Sequence, residues 1–107
     1  MKLRVVLSER AEEQLEDAYL WWSENRSAEQ AVRWYNSFLN KLETLGQNPE
    51  RFSVAPETFR TAHEVRQLLF GLGRKISHRA LFTIRSDMIY VFSVRHVSQQ
   101  TEESDLP

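Results

Sequence analysis

The chain has 107 residues, of which 41% are hydrophobic and 27% are charged, and these values are typical of one soluble globular domain. It contains no cysteine, which excludes disulfides and thiolate metal sites, and no apolar run approaches the ~20 residues of a membrane-spanning helix. The apolar part of the N-terminus is too short for a signal peptide, so we expect a cytoplasmic protein.

The net charge of −1 hides two regions of opposite charge. Residues 8–30 hold seven acidic side chains against two arginines, and residues 66–96 hold six basic side chains against one aspartate. A dipolar chain of this kind can attract an anionic partner to one end without being basic overall. The alternative is that two solvated faces differ in sign by chance.

The first half of the chain predicts a short strand and two helices. Residues 2–7 are rich in Val and Leu, which favours a strand. Ser8 and Ser27 are good N-caps, and apolar side chains recur at helical spacing after each of them. Gly46 marks the end of the second helix. Because only about two residues separate the helices, we expect an antiparallel hairpin.

The second half predicts a loop and then three strands. Residues 48–63 contain scattered proline and aromatic residues, which indicates an ordered loop. Strand-like segments follow at 65–70, 78–84 and 88–96, and the short turns between them predict antiparallel neighbours. Residues 99–107 form a polar, acidic tail that we expect to be disordered.

Three arginines, one on each of these strands, form the candidate site: Arg66, Arg79 and Arg95. Side chains alternate across a strand, and a helical hairpin can cover only one face of the sheet. We expect the arginines to share the open face, where they can bind phosphate or carboxylate groups. The covered face is assigned to Ala80, Phe82, Ile84, Tyr90, Phe92 and Val94. The alternative is that the arginines pair internally, with Glu57, Glu64 or Asp87.

A histidine lies beside the last of these arginines. His96 ends the final strand and is a candidate acid or base near neutral pH, although a lone histidine is more often a buried hydrogen-bonding residue. The three histidines stand far apart in sequence, and their spacing matches no known metal site. We therefore expect neither a metal nor a cofactor.

The order of these elements and several short motifs resemble the RelE/ParE superfamily of bacterial type II toxins, also labelled plasmid stabilisation proteins. The likeness covers about residues 3–98, and His78 stands where the family usually has tyrosine. The fold expected over residues 1–98 is α+β with the order β-α-α-β-β-β, a short N-terminal strand and a helical hairpin preceding a three-stranded antiparallel sheet. The matching pieces are Asn48 to Phe52, Ala55 to Glu57, Val65 to Leu68, His78 to Ile84, and Ile89 through His96.

The resemblance implies a toxin neutralised by a cognate antitoxin, whose C-terminal segment wraps the toxin and covers its open surface. ParE-like members inhibit DNA gyrase, whereas RelE-like members cut messenger RNA on the ribosome. RelE-like nucleases usually carry a C-terminal tyrosine, and no tyrosine follows Tyr90 here, so the ParE-like mode is favoured. The alternatives are a ribosome-dependent mRNA endoribonuclease and an inactive relative that keeps only antitoxin binding. A homodimer or a toxin–antitoxin hetero-oligomer is expected.

The resemblance also suggests roles for single residues. Arg66 matches the basic position of the family's second strand, Arg79 matches the arginine of its third strand, and Arg95 and His96 match the end of its last strand. In a nuclease the arginines would neutralise the scissile phosphate and His96 would transfer a proton, whereas in a gyrase inhibitor the arginines would serve recognition. In either case we expect Arg79→Ala to reduce toxicity in a folded protein. The residues predicted to contact the target or the antitoxin are Arg74, Lys75, Arg85, Leu81 and Val91.

Overall fold

A computed structural model describes residues 2–107. Within this range, no helix is both long enough and apolar enough to cross a membrane. The observed order of helices and strands is the predicted β-α-α-β-β-β. The elements are β1 (Arg4–Leu7), α1 (Glu9–Asn25), α2 (Ala28–Glu43), β2 (Arg66–Phe70), β3 (His78–Ile84) and β4 (Met88–His96). Short 3-10 turns lie at Thr44–Gly46, Pro49–Arg51, Pro56–Arg60 and Glu103–Asp105.

Both predicted helix starts are confirmed. The Ser8 hydroxyl accepts a 3.0 Å hydrogen bond from the backbone N–H of Ala11, and the Ser27 hydroxyl accepts one of 3.0 Å from Gln30. Each cap satisfies a backbone donor that has no partner inside its helix. The short link between the helices returns the chain on itself, as predicted for a hairpin.

The sheet has four strands in the order β1-β4-β3-β2, and it is mixed. β2, β3 and β4 pair antiparallel, as predicted, whereas β1 lies parallel to β4, with Val5 opposite Ile89. A parallel neighbour needs a long connection, and here the helical hairpin and two further strands supply it. The N-terminal strand therefore joins the sheet at one edge, which places β4 in its interior.

A β-bulge lies in the central strand pair. Leu81 of β3 pairs with Ser93, but the next residue, Phe82, pairs with Val91, so Phe92 is an extra residue on β4. A bulge leaves one residue without a cross-strand partner and shifts the alternation of side chains between the two faces.

The bulge corrects part of the predicted face assignment. Ala80, Phe82 and Val94 pack in the core beneath the helices, as expected. Tyr90 and Phe92 were assigned to the same face, but both lie in a smaller apolar cluster on the opposite face. The prediction assumed that side chains alternate between the two faces along all of β4. The extra residue shifts that alternation, so residues before the bulge were assigned to the wrong face.

The face of the sheet away from the helices is also covered. The smaller cluster on this second face is formed by Ala55, Val65, Leu81 and Phe92, with Leu106 packed against it. The loop that precedes β2 and the C-terminal tail therefore close the face that we expected to be open.

The acidic tail differs most from its prediction. Residues 99–107 were expected to be disordered, yet the structure places a 3-10 turn at Glu103–Asp105 against the sheet. Thr101 and Asp105 are almost fully buried there. An acidic segment is expected to be disordered when its side chains have no partners. Here the partners are arginines on other elements of the fold, which composition alone does not reveal.

Candidate functional site

Arg66 is separated from the other two candidate arginines. Arg66 on β2 lies directly opposite Phe82 on β3, and Phe82 belongs to the core beneath the helices. Arg66 is therefore on the helix side of the sheet. Its Nη1 donates hydrogen bonds to the backbone carbonyls of Glu50 (3.0 Å) and Phe52 (2.6 Å), and its Nε donates to a Glu64 carboxylate oxygen at 3.0 Å. Arg66 thus anchors the loop before β2. Its pairing with Glu64 agrees with the alternative prediction that the arginines pair inside the chain.

Arg79 lies on the second face within a closed polar network. Its guanidinium forms a salt bridge with Glu57 and donates hydrogen bonds to Gln67 Oε1 (2.9 Å) and Thr101 Oγ1 (3.1 Å). The Thr101 hydroxyl in turn donates to Glu57 Oε2 at 2.7 Å. Only 15% of the Arg79 side chain is exposed. Every one of these contacts is internal to the chain, so the network satisfies Arg79 without a ligand.

The surroundings of Glu57 keep this network charged. Burial raises the pKa of the Glu57 carboxyl, but hydrogen bonds from Arg79, Thr101 and its own backbone N–H, with the attraction of the Arg79 charge, outweigh that effect. The resulting pKa is below the usual value. Glu57 is therefore ionised at neutral pH and neutralises Arg79.

Arg95 is held by the tail. Its Nε donates a 2.9 Å hydrogen bond to Asp105 Oδ2, and its Nη2 lies 2.6 Å from the same oxygen. The other carboxylate oxygen of Asp105 accepts hydrogen bonds from Arg10 Nε (3.1 Å) and Gln14 Nε2 (3.2 Å). The hydrogen bond that Arg10 donates to Asp105 is the main cause of the raised pKa of Arg10. Asp105 thus ties the tail to both α1 and β4.

The predicted patch of three open cations is therefore not present in this part of the chain, residues 2–107. Arg79 and Arg95 do share a face, but Glu57 and Asp105 neutralise them. Sequence analysis named Glu57 as an alternative partner and missed Asp105. One signal for Asp105 was present in the sequence: it is followed by the apolar residue Leu106, which can hold the tail against the sheet.

The two histidines at the strand ends form a cross-strand pair. The rings of His78 and His96 lie 5.3 Å apart between centroids. His96 is exposed, and its Nδ1 accepts a hydrogen bond from the backbone N–H of Ser98 at 3.1 Å. His78 packs against the Trp34 ring at 4.9 Å. Burial, with a smaller contribution from the charge of His96, lowers the pKa of His78 to about 4, so His78 is neutral at physiological pH.

A groove lies between α1 and the end of the sheet that carries these histidines. Its volume is about 680 Å³. Trp21 lines it with half of its surface exposed, and Ile76 and Val97 are exposed nearby. Arg26 and Lys75 also line it, so the groove combines apolar and basic side chains. Sequence analysis did not predict this surface, because helical periodicity alone does not distinguish a partly buried Trp from an exposed one.

The residues predicted to contact a partner fall into two groups. Arg74 and Lys75 are exposed in the turn between β2 and β3, and Arg85 is exposed with its guanidinium 4.5 Å from the Tyr90 ring centroid. Leu81 and Val91 were placed on the same surface, but both are fully buried. Leu81 lies under the loop and tail, and the bulge turns Val91 towards the helices. Across residues 2–107, no set of three His, Asp or Glu side chains is arranged to hold a metal ion.

The fold matches that of a solved structure. The structure is similar to a chain described as "Chromosomal ParDE TA system from P. aeruginosa", with a TM-score of 0.73 over 90% of this chain and 97% of that one, at 16% sequence identity. At this identity the likeness shows the fold alone. A search of curated sequences found no significant match.

The family follows from the sequence itself. The family model described as "ParE toxin of type II toxin-antitoxin system, parDE" matches residues 5–101. The chain therefore belongs to the ParE toxin family, and it is the toxin component of a type II toxin–antitoxin system with an antitoxin as its partner.

Proposed function

We propose that this ParE-family toxin stops growth by inhibiting DNA gyrase in the cytoplasm and that it does not cleave RNA. The observation that carries this proposal is the internal pairing of Arg79 with Glu57 and of Arg95 with Asp105. Cleavage of a phosphodiester needs cations aimed at the phosphate, where charge develops in the transition state. In this chain the carboxylates of Glu57 and Asp105 lie where a phosphate would have to contact Arg79 and Arg95. This arrangement favours a protein target over RNA cleavage.

The proposal assigns target contact to the groove beside α1 and to the basic turn next to it. Trp21 offers a large exposed aromatic surface, and Arg74 and Lys75 lie in the turn between β2 and β3. Aromatic residues and arginine are enriched where proteins bind proteins, and charges at the rim of an interface steer association. Antitoxin that covers this surface would block the target.

Induction in bacteria, combined with two biochemical readouts, tests the proposal. We expect growth arrest with a DNA-damage response, loss of supercoiling by purified gyrase in the presence of the purified toxin, and intact messenger RNA in a coupled translation reaction. Translation-dependent mRNA cleavage without any effect on gyrase would contradict the proposal and favour the ribosomal alternative. Normal growth on induction, with folded protein present, would indicate an inactive relative.

A further inference from the structure

We propose that a cleft lined by four arginines is a binding site for an acidic peptide segment of a partner protein, and that the chain's own tail occupies this site in cis. The cleft is formed by Arg10, Arg60, Arg79 and Arg95, and we call it the arginine cleft. Residues 101–107, which fill it, are called the tail strap. The inference rests on the contacts of the strap and does not depend on the identity of the toxin's target.

The arginine cleft belongs to the body of the domain, not to the strap. Arg10 lies on α1, Arg60 in the 3-10 turn Pro56–Arg60, Arg79 on β3 and Arg95 on β4. Arg60 completes the contacts given above, because it donates hydrogen bonds to the Thr101 carbonyl at 2.9 Å and to Glu103 Oε1 at 3.0 Å. Four separate elements thus hold one short segment, and none of them is part of that segment.

The cleft selects for a carboxylate. The Arg95 side chain is 12% exposed, and Asp105 is the partner that neutralises it at hydrogen-bond distance. A buried guanidinium without a counterion is costly, so an empty cleft is unfavourable. Arg79 differs, because Glu57 remains beside it when the strap is gone. The Asp105 position is therefore the specific point of recognition.

The strap has the features of a ligand that can be exchanged. The residues that connect it to β4, 97–100, are all exposed. The backbone hydrogen bonds that close its turn, from Asp105 N to the Glu102 carbonyl and from Leu106 N to the Glu103 carbonyl, are internal to the strap. A segment held to the body by side chains, with an exposed connection, can open locally at a free energy below that of global unfolding. A competing peptide can therefore reach the cleft without unfolding the domain.

Charge and shape define the occupant. The four arginines and Glu57 give the cleft a net charge of +3, which the three carboxylates of the strap (Glu102, Glu103 and Asp105) match. Leu106 adds an apolar contact with the cluster that contains Leu81 and Phe92. The partner segment that fits is an acidic stretch with an aspartate followed by leucine or a similar apolar residue.

Fluorescence anisotropy with a labelled synthetic peptide tests this assignment. The probe has the sequence of residues 100–107, and a second probe carries Asp105→Asn. In the 107-residue chain, Asp105→Asn weakens the binding of the strap to the cleft and leaves every cleft residue intact. We expect Asp105→Asn to bind the first probe about tenfold more tightly than the unsubstituted chain binds it. We also expect Asp105→Asn to bind the first probe about tenfold more tightly than the second probe. Each difference corresponds to ~1.4 kcal/mol.

Asp87→Asn is the matched control, because it makes the same acid-to-amide change at an exposed position in the turn between β3 and β4, outside the strap and the cleft. It should bind the first probe no better than the unsubstituted chain. Equal affinity of the folded Asp105→Asn variant and the unsubstituted chain, or equal affinity for the two probes, would overturn the proposal.

Two further measurements keep the test decisive. If Asp105→Asn does not fold, NMR of the unsubstituted chain replaces it: excess first probe should shift the Arg95 Nε resonance and release the amides of 103–106, and excess second probe should not. Unchanged spectra with both probes would refute the site. Light scattering tests whether the tail of a second copy fills the cleft instead. A dimer in the unsubstituted chain that becomes a monomer in Asp105→Asn would show that it does, and would contradict the proposal of another protein as the partner.

Discussion

Arg95 and Asp105 form an ion pair in which the carboxylate is fully buried and the guanidinium is 12% exposed. The pair joins the end of β4 to a tail that composition alone marks as disordered. The guanidinium groups of Arg79 and Arg95 share a face of the sheet, but they do not converge on one anion, because Arg79 pairs with Glu57 and Arg95 pairs with Asp105. Three of the six basic side chains in residues 66–96 are therefore paired inside the chain, Arg66 with Glu64, Arg79 with Glu57 and Arg95 with Asp105.

Loss of this carboxylate should destabilise the protein. Asp105→Ala removes the counterion of Arg95 and is expected to lower the free energy of unfolding by about 1–3 kcal/mol, less than the ~3–5 kcal/mol of a broken pair in a core, because the released strap lets water reach Arg95. Urea unfolding followed by circular dichroism measures the effect. Glu103→Gln should change the free energy by no more than ~1 kcal/mol, as expected of an exposed pair. Equal effects of the two substitutions would show that burial of Asp105 contributes nothing.

Arg79 is the second buried cation, and its replacement should also act through stability. Arg79→Ala leaves the carboxylate of Glu57 buried beside Thr101 without its counterion, and we expect a loss of about 3–5 kcal/mol in the free energy of unfolding. Sequence analysis predicted reduced toxicity in a folded protein, and the structure attributes such a loss first to instability.

A double substitution and a surface control separate these causes. Glu57→Gln combined with Arg79→Met removes both charges and should recover part of the stability lost in Arg79→Ala. Arg85→Ala removes an exposed guanidinium that lies over the Tyr90 ring face, and it should cost about 1 kcal/mol or less. A fully stable Arg79→Ala protein would show that the network around Glu57 is not structural.

The buried histidine predicts a pH dependence of stability. The pKa of His78 is about 4 in the folded chain, against 6.5 for an unperturbed histidine, so the unfolded chain binds the proton more readily. His78 therefore contributes stability that is complete above pH 6.5 and is lost as the pH falls towards 4, by about 3 kcal/mol in all. Glu57 does not interfere above about pH 5, because a carboxyl with a lowered pKa loses its contribution only as the unfolded chain takes up the proton below that pH.

Urea unfolding at pH 7.5, 5.5 and 4.5 measures this dependence. His78→Phe keeps an aromatic ring against Trp34 and should flatten the decrease between pH 6.5 and 4.5. His63→Gln, at an exposed position, should leave it unchanged. The same decrease in His78→Phe would assign it to another group.

Local signals explain why the helices were predicted well. The caps at Ser8 and Ser27 and the apolar periodicity after them depend on residues close together in sequence. Three features depended on distant residues and were missed: the parallel pairing of β1 with β4, the bulge at Phe92 and the docking of the tail. Since a one-residue shift moves side chains to the other face, the bulge alone misplaced Tyr90 and Val91.

The candidate site was predicted less well, for a related reason. The sequence identified the strand arginines and offered Glu57 as a possible partner, but it could not decide the pairing of Arg79 with Glu57 or predict that of Arg95 with Asp105, because both depend on how the loop and tail fold over the sheet. The exposed turn residues Arg74 and Lys75 were placed correctly, since a Gly-containing turn is a local signal.

A glycine at the end of the helical hairpin should resist substitution. A Cβ at Gly46 would lie 2.3 Å from the Leu3 carbonyl oxygen, and the Gly46 carbonyl accepts a hydrogen bond from Leu3 N at 2.8 Å. Gly46→Ala should push β1 away and lower the free energy of unfolding by about 1–3 kcal/mol. Gly73→Asn is the control, because φ is +73° there, the Cβ meets nothing within 4 Å, and Asn tolerates this conformation. Thermal melts that rank Gly73→Asn as the more damaging change would contradict the assignment.

Charge reversal in the basic turn tests the proposed contact surface. Lys75 lines the groove beside Trp21, and its exposed position means that Lys75→Glu should leave the free energy of unfolding within about 0.5 kcal/mol of the unsubstituted value. Inhibition of gyrase should weaken about tenfold, because a reversed charge at the rim of an interface slows association. Lys41→Glu makes the same change at an exposed position of α2 and should inhibit as the unsubstituted toxin does. If both variants inhibit equally, the groove and its basic turn are not where the target binds.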